Sequence, residues 1–167
     1  MSKWRPAVAL LFALAGIPTA AANTSPGGPW SLGDIVVEQA WARLLPGDER
    51  KAAVYLTVHN KSGDEELLIA VDSPAAGATS VNEDTSADGE KNERPLPFGL
   101  PLPAHGEVVM KPGGFHILLS GISRAVDEAT ALPVTMVFRD AGTVDFDVPI
   151  IPEGEAAPKQ LHSGHSG

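Results

Sequence analysis

The chain has 167 residues, no cysteine, and 21 acidic against 12 basic side chains, for a formal charge of −9. Without thiols there is no disulfide framework, thiolate metal site, thiol redox centre or lipid-modified cysteine, so a metal would have to be held by His, Met, Asp or Glu. The acidic balance argues against nucleic acid and anionic membrane surfaces as partners and suits cations or basic protein faces.

Lys3 and Arg5 precede an apolar run from Ala7 to Ile17, which is closed by Pro18 and by Ala20-Ala21-Ala22. A charged start, a short apolar middle and a small-residue end read as a secretory signal peptide over residues 1–22. The run falls short of the about 20 apolar residues that span a bilayer, so no membrane insertion is expected after cleavage. Removing Lys3 and Arg5 takes the formal charge from −9 to −11. Residues 23–33, NTSPGGPWSLG, read as a flexible lead-in to one domain over 34–151.

From Asp34 onward, DIVVEQAWAR, AAVYLTVHN, EELLIAVDSP, GEVVMKPGG, FHILLSGI, LPVTMVFRD and TVDFDVPI are short β-rich runs separated by Gly, Pro, Asn and Asp. Ala53, Tyr55, Thr57 and His59 alternate with Val54, Leu56 and Val58, and Val144, Phe146 and Val148 alternate with Thr143, Asp145 and Asp147, as half-buried strands require. The expected class is all-β, a Greek-key sandwich of two antiparallel sheets. The segment NEDTSADGEKNERPLPFGLPLPAHG, polar and then Pro-rich, reads as a long excursion at one end of the sandwich. Residues 152–167, rich in Pro, Gly, Glu and Ser, read as a disordered tail carrying His162 and His165.

No Gly-rich phosphate loop, G-x-S-x-G elbow, H-E-x-x-H pair or cysteine nucleophile is present, so the chain reads as a binding protein and not an enzyme. His59 beside NKSG and His105 in PAHG sit at turn signals, and Asn60-Lys61-Ser62, formally a glycosylation sequon, is equally what a hairpin turn wants. His116 follows a Pro-Gly-Gly turn and shares a strand face with Leu118, opposite Phe115, Ile117 and Leu119.

QAWAR with its following Pro-Gly turn, AAVYLTVHN, SPAAG, LPFGLPLPAHG and KPGGFHILLSGI together resemble, from about Ile35 to Ile150, the periplasmic copper chaperones of the PCu(A)C family. That resemblance implies a cupredoxin-like β-sandwich, a periplasmic location and a Cu(I) site of two His and two Met. It also implies a link to Cu(A) assembly in cytochrome c oxidase, with cytochrome c oxidase subunit II or Sco-type copper proteins as partners. Carried over position by position, the ligands fall on Asn82, Glu93, His116 and Leu118, of which only His116 is the family's residue. Imidazole and thioether suit Cu(I), whereas amide and carboxylate oxygens suit harder ions and Leu donates nothing. The expected site is therefore weakened for copper, and an Asn, Glu and His set is open to a harder divalent ion. Met110 and Met136 lie in strand-like runs and read as core filler. His162 and His165, on Ser-Gly spacers, form a second candidate able to chelate Cu(II), Ni(II) or Zn(II). The alternative function is a metal-free sandwich that serves as an interaction module in assembling an envelope complex.

Overall fold

The structure is a computed structural model that describes residues 27–47, 50–85, 92–124, 126, 130–152 and 154–156. The expected signal peptide over 1–22 and the histidines at 162 and 165 lie outside the described residues. In chain order the strands are β1 (Trp30–Leu32), β2 (Ile35–Leu45), β3 (Lys51–Asn60), β4 (Glu66–Asp72), β5 (Ala78–Asp84) and β6 (Glu93–Pro95). They continue with β7 (Leu100–Leu102), β8 (Gly106–Val109), β9 (Phe115–Ser120), β10 (Ala131–Phe138) and β11 (Gly142–Pro149).

One sheet runs β1-β2-β3-β9-β5-β6, with β8 also paired to β3, and the other runs β11-β10-β4-β7. Every pairing between these strands is antiparallel. The expected two-sheet antiparallel sandwich is the observed fold. Its core is built by period-two alternation. Val54, Leu56 and Val58 of β3 meet Leu132, Val134, Met136 and Phe138 of β10 and Phe146 and Val148 of β11 in one apolar cluster. Full burial of each large aliphatic or aromatic side chain contributes about 1.5–3 kcal/mol. Met110 and Met136 are fully buried there, as expected of gap-filling thioethers.

Three features differ from the sequence reading. Trp30–Leu32, within the stretch read as a lead-in, forms β1 against Ile35–Val37, and Trp30 stacks on Phe146 with ring centroids 4.5 Å apart. The polar, Pro-rich excursion supplies the end of β5 and both short strands β6 and β7. Finally, β2 changes parity. Ile35 and Val37 face the core, but so do Ala40 and Ala42, which an unbroken strand cannot achieve. A bulge at Gln39, in the left-handed region at φ 55°, sets Gln39 and Ala40 together opposite Leu56, between the pairs Glu38↔Thr57 and Trp41↔Tyr55. The extra residue turns Trp41 onto the outer face of the sheet, where it is nevertheless 1% exposed.

Candidate functional site

The outer face of the larger sheet carries Asn82, Glu93, His116 and Leu118, four of the residues that the sequence singled out. Along β3 the first half, Lys51–Val54, pairs with β9 and the second half, Thr57–Asn60, pairs with β8. The intervening Lys111-Pro112-Gly113-Gly114 turn is an interruption in one line of chain running beside β3. Gly113 takes φ 77°, a conformation that favours glycine, and the Gly114 N–H closes the turn on the Lys111 carbonyl at 3.0 Å.

That turn fixes the histidine. The Gly114 carbonyl accepts from the Asp84 N–H at 3.1 Å and lies 3.1 Å from His116 Nδ1. A carbonyl only accepts, so Nδ1 carries the proton of the neutral ring, and in that form Nε2 presents its lone pair. Asn82 of β5 is the direct cross-strand partner of His116, and β6 adds Glu93 opposite Asp84. Asn82 Nδ2 donates to Glu93 Oε2 at 3.3 Å, while His116 Nε2 stands 3.7 Å from Glu93 Oε1. Asn82 and His116 are buried, and the Glu93 side chain is 46% exposed. The fold thus brings Asn82, Glu93 and His116 together.

Leu118 follows on the same face, between Ser80 and Ala53. It helps to line a cleft of about 360 Å³ with Leu45, Arg50, Lys51 and Glu93. Arg50 is held by the carbonyls of Ile122 at 2.7 Å and Ser123 at 2.9 Å. Arg94 is paired with Glu83.

An aromatic row that the sequence reading did not assign to the site approaches it from β2 and β3. The Tyr55 ring centroid lies 6.3 Å from that of His116 and 4.4 Å from that of Trp41, and the Arg43 guanidinium sits 5.4 Å from the Trp41 ring centroid. Burial raises the pKa of the Tyr55 phenol above its ordinary 10.0; Arg43 opposes this, and Glu93 and Asp84 add to it. Trp41 and Tyr55 are direct cross-strand partners just past the β2 bulge, and it is the bulge, a feature with no periodic signal, that brings Trp41 to this face.

The other histidines are placed differently. His59 sits between two carboxylates, with Nε2 2.9 Å from Glu38 Oε1 and Nδ1 3.2 Å from Glu107 Oε2. His105 occupies a turn at φ 52°, with Nδ1 3.2 Å from the Lys61 carbonyl. Asn60 is buried; its Nδ2 donates to the Asp64 and Leu102 carbonyls and its Oδ1 accepts from Ser62. The sequon is therefore a tight turn, but not the expected hairpin, because β3 and β4 on either side of it lie in different sheets, and the Asn60 amide is already engaged by backbone carbonyls.

Residues 35–150 match the model of the LpqE-like family, described as "Putative lipoprotein LpqE-like". The chain belongs to the LpqE-like family. A relative of this LpqE-like protein, "Putative lipoprotein Lxx21020" of Leifsonia xyli subsp. xyli, is 24% identical over 116 residues, covering 70% of this chain and 69% of the relative. Among solved structures, the copper-bound PCuAC domain from PmoF2 is similar with a TM-score of 0.59 at 28% identity, over 74% of this chain and 97% of the domain. The apo PmoF2 PCuAC domain gives 0.62 at 25% identity, over 78% and 100%. The Cu(I)-loaded DR1885 of Deinococcus radiodurans gives 0.55 at 24% identity, over 70% and 77%. The LpqE-like chain therefore has the PCuAC-type cupredoxin-like sandwich that its resemblance implied.

Its donors do not fit Cu(I). Both described methionines away from the terminus, Met110 and Met136, are sealed in the core, and the chain has no cysteine. The converging groups are an imidazole nitrogen, a carboxylate and an amide, a set that suits harder ions than Cu(I). Among the described residues no group of three His, Asp or Glu side chains could hold a metal ion; Asn82 would have to be the third donor.

Proposed function

We propose that this LpqE-like protein is an exported copper-handling binding protein of the cell envelope, chaperone-like in role, with a central site weakened toward Cu(I). It acts by holding and passing an ion and not by turnover. The observation that carries this reading is the convergence of Asn82, Glu93 and His116 on the outer face of a PCuAC-type sandwich. Copper-bound members of that fold support the cargo. Export is supported by the pattern of residues 1–22 and by the lipoprotein descriptions of its relatives; the proposed compartment is the periplasm. The recipients proposed from the family resemblance are cytochrome c oxidase subunit II, at its Cu(A) centre, or Sco-type copper proteins.

A second reading, a metal-free interaction module, is favoured by Phe98, which stands 91% exposed in the loop after β6. Cu(I) affinity separates the two. In competition with a Cu(I) chelator, the unmodified chain should bind weakly, and the combined variant Asn82→His, Glu93→Met, Leu118→Met should bind orders of magnitude more tightly because it restores thioether and imidazole donors. An unchanged affinity in that variant would remove the copper site from this face and favour the interaction module. Tight Cu(I) binding by the unmodified chain, lost in His116→Ala, would contradict the weakened site.

A further inference from the structure

The mismatch with Cu(I) has a specific form, because the groups left over are electron-pair donors without a proton to share. His116 Nδ1–H is spent on the Gly114 carbonyl, the arrangement by which metal-binding imidazoles are oriented through their second nitrogen. Nε2 and Glu93 Oε1 then face each other at 3.7 Å, outside hydrogen-bond reach. Two ligands on one tetrahedral ion, with metal–nitrogen and metal–oxygen bonds of about 2.0–2.2 Å, stand roughly 3.4 Å apart. Closing a few tenths of an ångström for a tetrahedral ion such as Zn(II), or somewhat under about 1 Å for cis donors on a tetragonal ion such as Cu(II), requires only a rotation of the half-exposed Glu93.

The third observation is independent of the first two. Asn82 Oδ1 is buried and has no hydrogen-bond partner, although Nδ2 of the same amide is satisfied by Glu93. Leaving such an oxygen unpaired is costly, because its lost hydration is not replaced. A cation at this point would offset that cost. It would also bridge the imidazole and carboxylate that nothing else connects.

We infer that Asn82, Glu93 and His116 form a three-donor site for a borderline divalent cation, Cu(II) ahead of Zn(II), that discriminates against Cu(I). The inference rests on the copper-handling reading and specifies the oxidation state of the cargo. Imidazole with carboxylate and amide oxygen is a donor set for divalent ions, and Cu(II) leads Zn(II) at such sites. Leu118 lies on the same face as His116 but offers no donor. The remaining coordination positions belong to solvent, so the ion is exchangeable, as delivery requires.

The test uses the full chain with His162→Ala and His165→Ala, so that the tail contributes no imidazole. Zn(II), Cu(II) and chelator-buffered Cu(I) are each titrated by competition, and thermal melting of every variant is followed with and without Zn(II). One equivalent of Cu(II) and of Zn(II) should bind, both more tightly than Cu(I), and Zn(II) should raise the melting temperature by mass action. Glu93→Gln, at a half-exposed position on a three-residue strand, should fold normally and lose at least about tenfold in Zn(II) affinity, in line with the 10–100-fold effects of altered metal surroundings. His116→Ala and Asn82→Leu should lose more. Cu(I) bound more tightly than either divalent ion would overturn this inference and leave the copper-handling reading standing. Divalent binding that Glu93→Gln and His116→Ala leave unchanged would overturn the site. No binding of any of the three ions would sink both.

Discussion

Asn82, Tyr55 and Glu66 are buried or half-buried polar groups, and each makes a different demand on its surroundings. Tyr55 is the only tyrosine in the chain, so an absorbance titration of the folded protein reports it alone. Burial should place its midpoint above 10.0; a midpoint at or below that value would contradict the packing against Trp41. The linkage has a definite sign. As pH rises past 10.0 the unfolded chain gives up this proton before the folded chain does, so stability falls until the folded value is passed. Tyr55→Phe removes that component, and its urea midpoint should drop less than that of the unmodified chain between about pH 9.5 and about pH 11.

Glu66 is a buried carboxylate that accepts the Leu67 N–H at 2.7 Å, the Ala141 N–H at 2.7 Å and the Asp140 N–H at 3.1 Å. Glu66→Leu strands those amides and should cost about 3 kcal/mol in urea unfolding; a loss under about 1 kcal/mol would show that water replaces the carboxylate. The role of Glu66 was not legible in the sequence, because two of its three partners, Asp140 and Ala141, lie more than 70 positions away. Asn82, Glu93 and His116 were legible as a set only through family resemblance. The two-residue link between His116 and the Gly114 carbonyl that sets its tautomer is local, yet nothing in residue spacing announces it.

Among the elements, the strands with clean alternation, β3, β10 and β11, could be read directly, since one face of each enters the core. Three-residue strands such as β1, β6 and β7 carry too few positions to show a period and are specified by what they pair with. The bulge in β2 was hidden for a different reason. Val36, Glu38, Ala40 and Ala42 share parity in the sequence, but Ala40 and Ala42 enter the core while Glu38 stays outside it. Gln39 holds the bulge at a φ of 55°. A β-branched residue resists that conformation, so Gln39→Val should cost about 1–2 kcal/mol in urea unfolding, whereas Gln39→Gly should cost less. Equal midpoints for the two variants would mean that the bulge conformation carries no strain.

On the scale of the whole molecule, the sandwich extends to its last described residues. The Ile151 N–H donates to the Ala42 carbonyl at 2.8 Å, and Arg43 Nη2 donates to the Glu155 carbonyl at 2.8 Å, so Ile151 and Glu155 lie beside β2. Truncation after Leu161 keeps both contacts while removing His162 and His165. The unfolding midpoint should therefore stay the same, while the number of Cu(II) equivalents bound falls to that of the central site. Identical Cu(II) titrations before and after truncation would remove the tail from metal binding. The central claim, that the outer face of the larger sheet holds one metal site built on His116, is tested most directly by NMR of the full chain with 15N-labelled histidine during Zn(II) addition. The His116 Nε2 resonance should shift or broaden within the first equivalent while the Nδ1 proton, held by Gly114, persists. A response confined to His162 and His165, with His116 unmoved, would contradict the account.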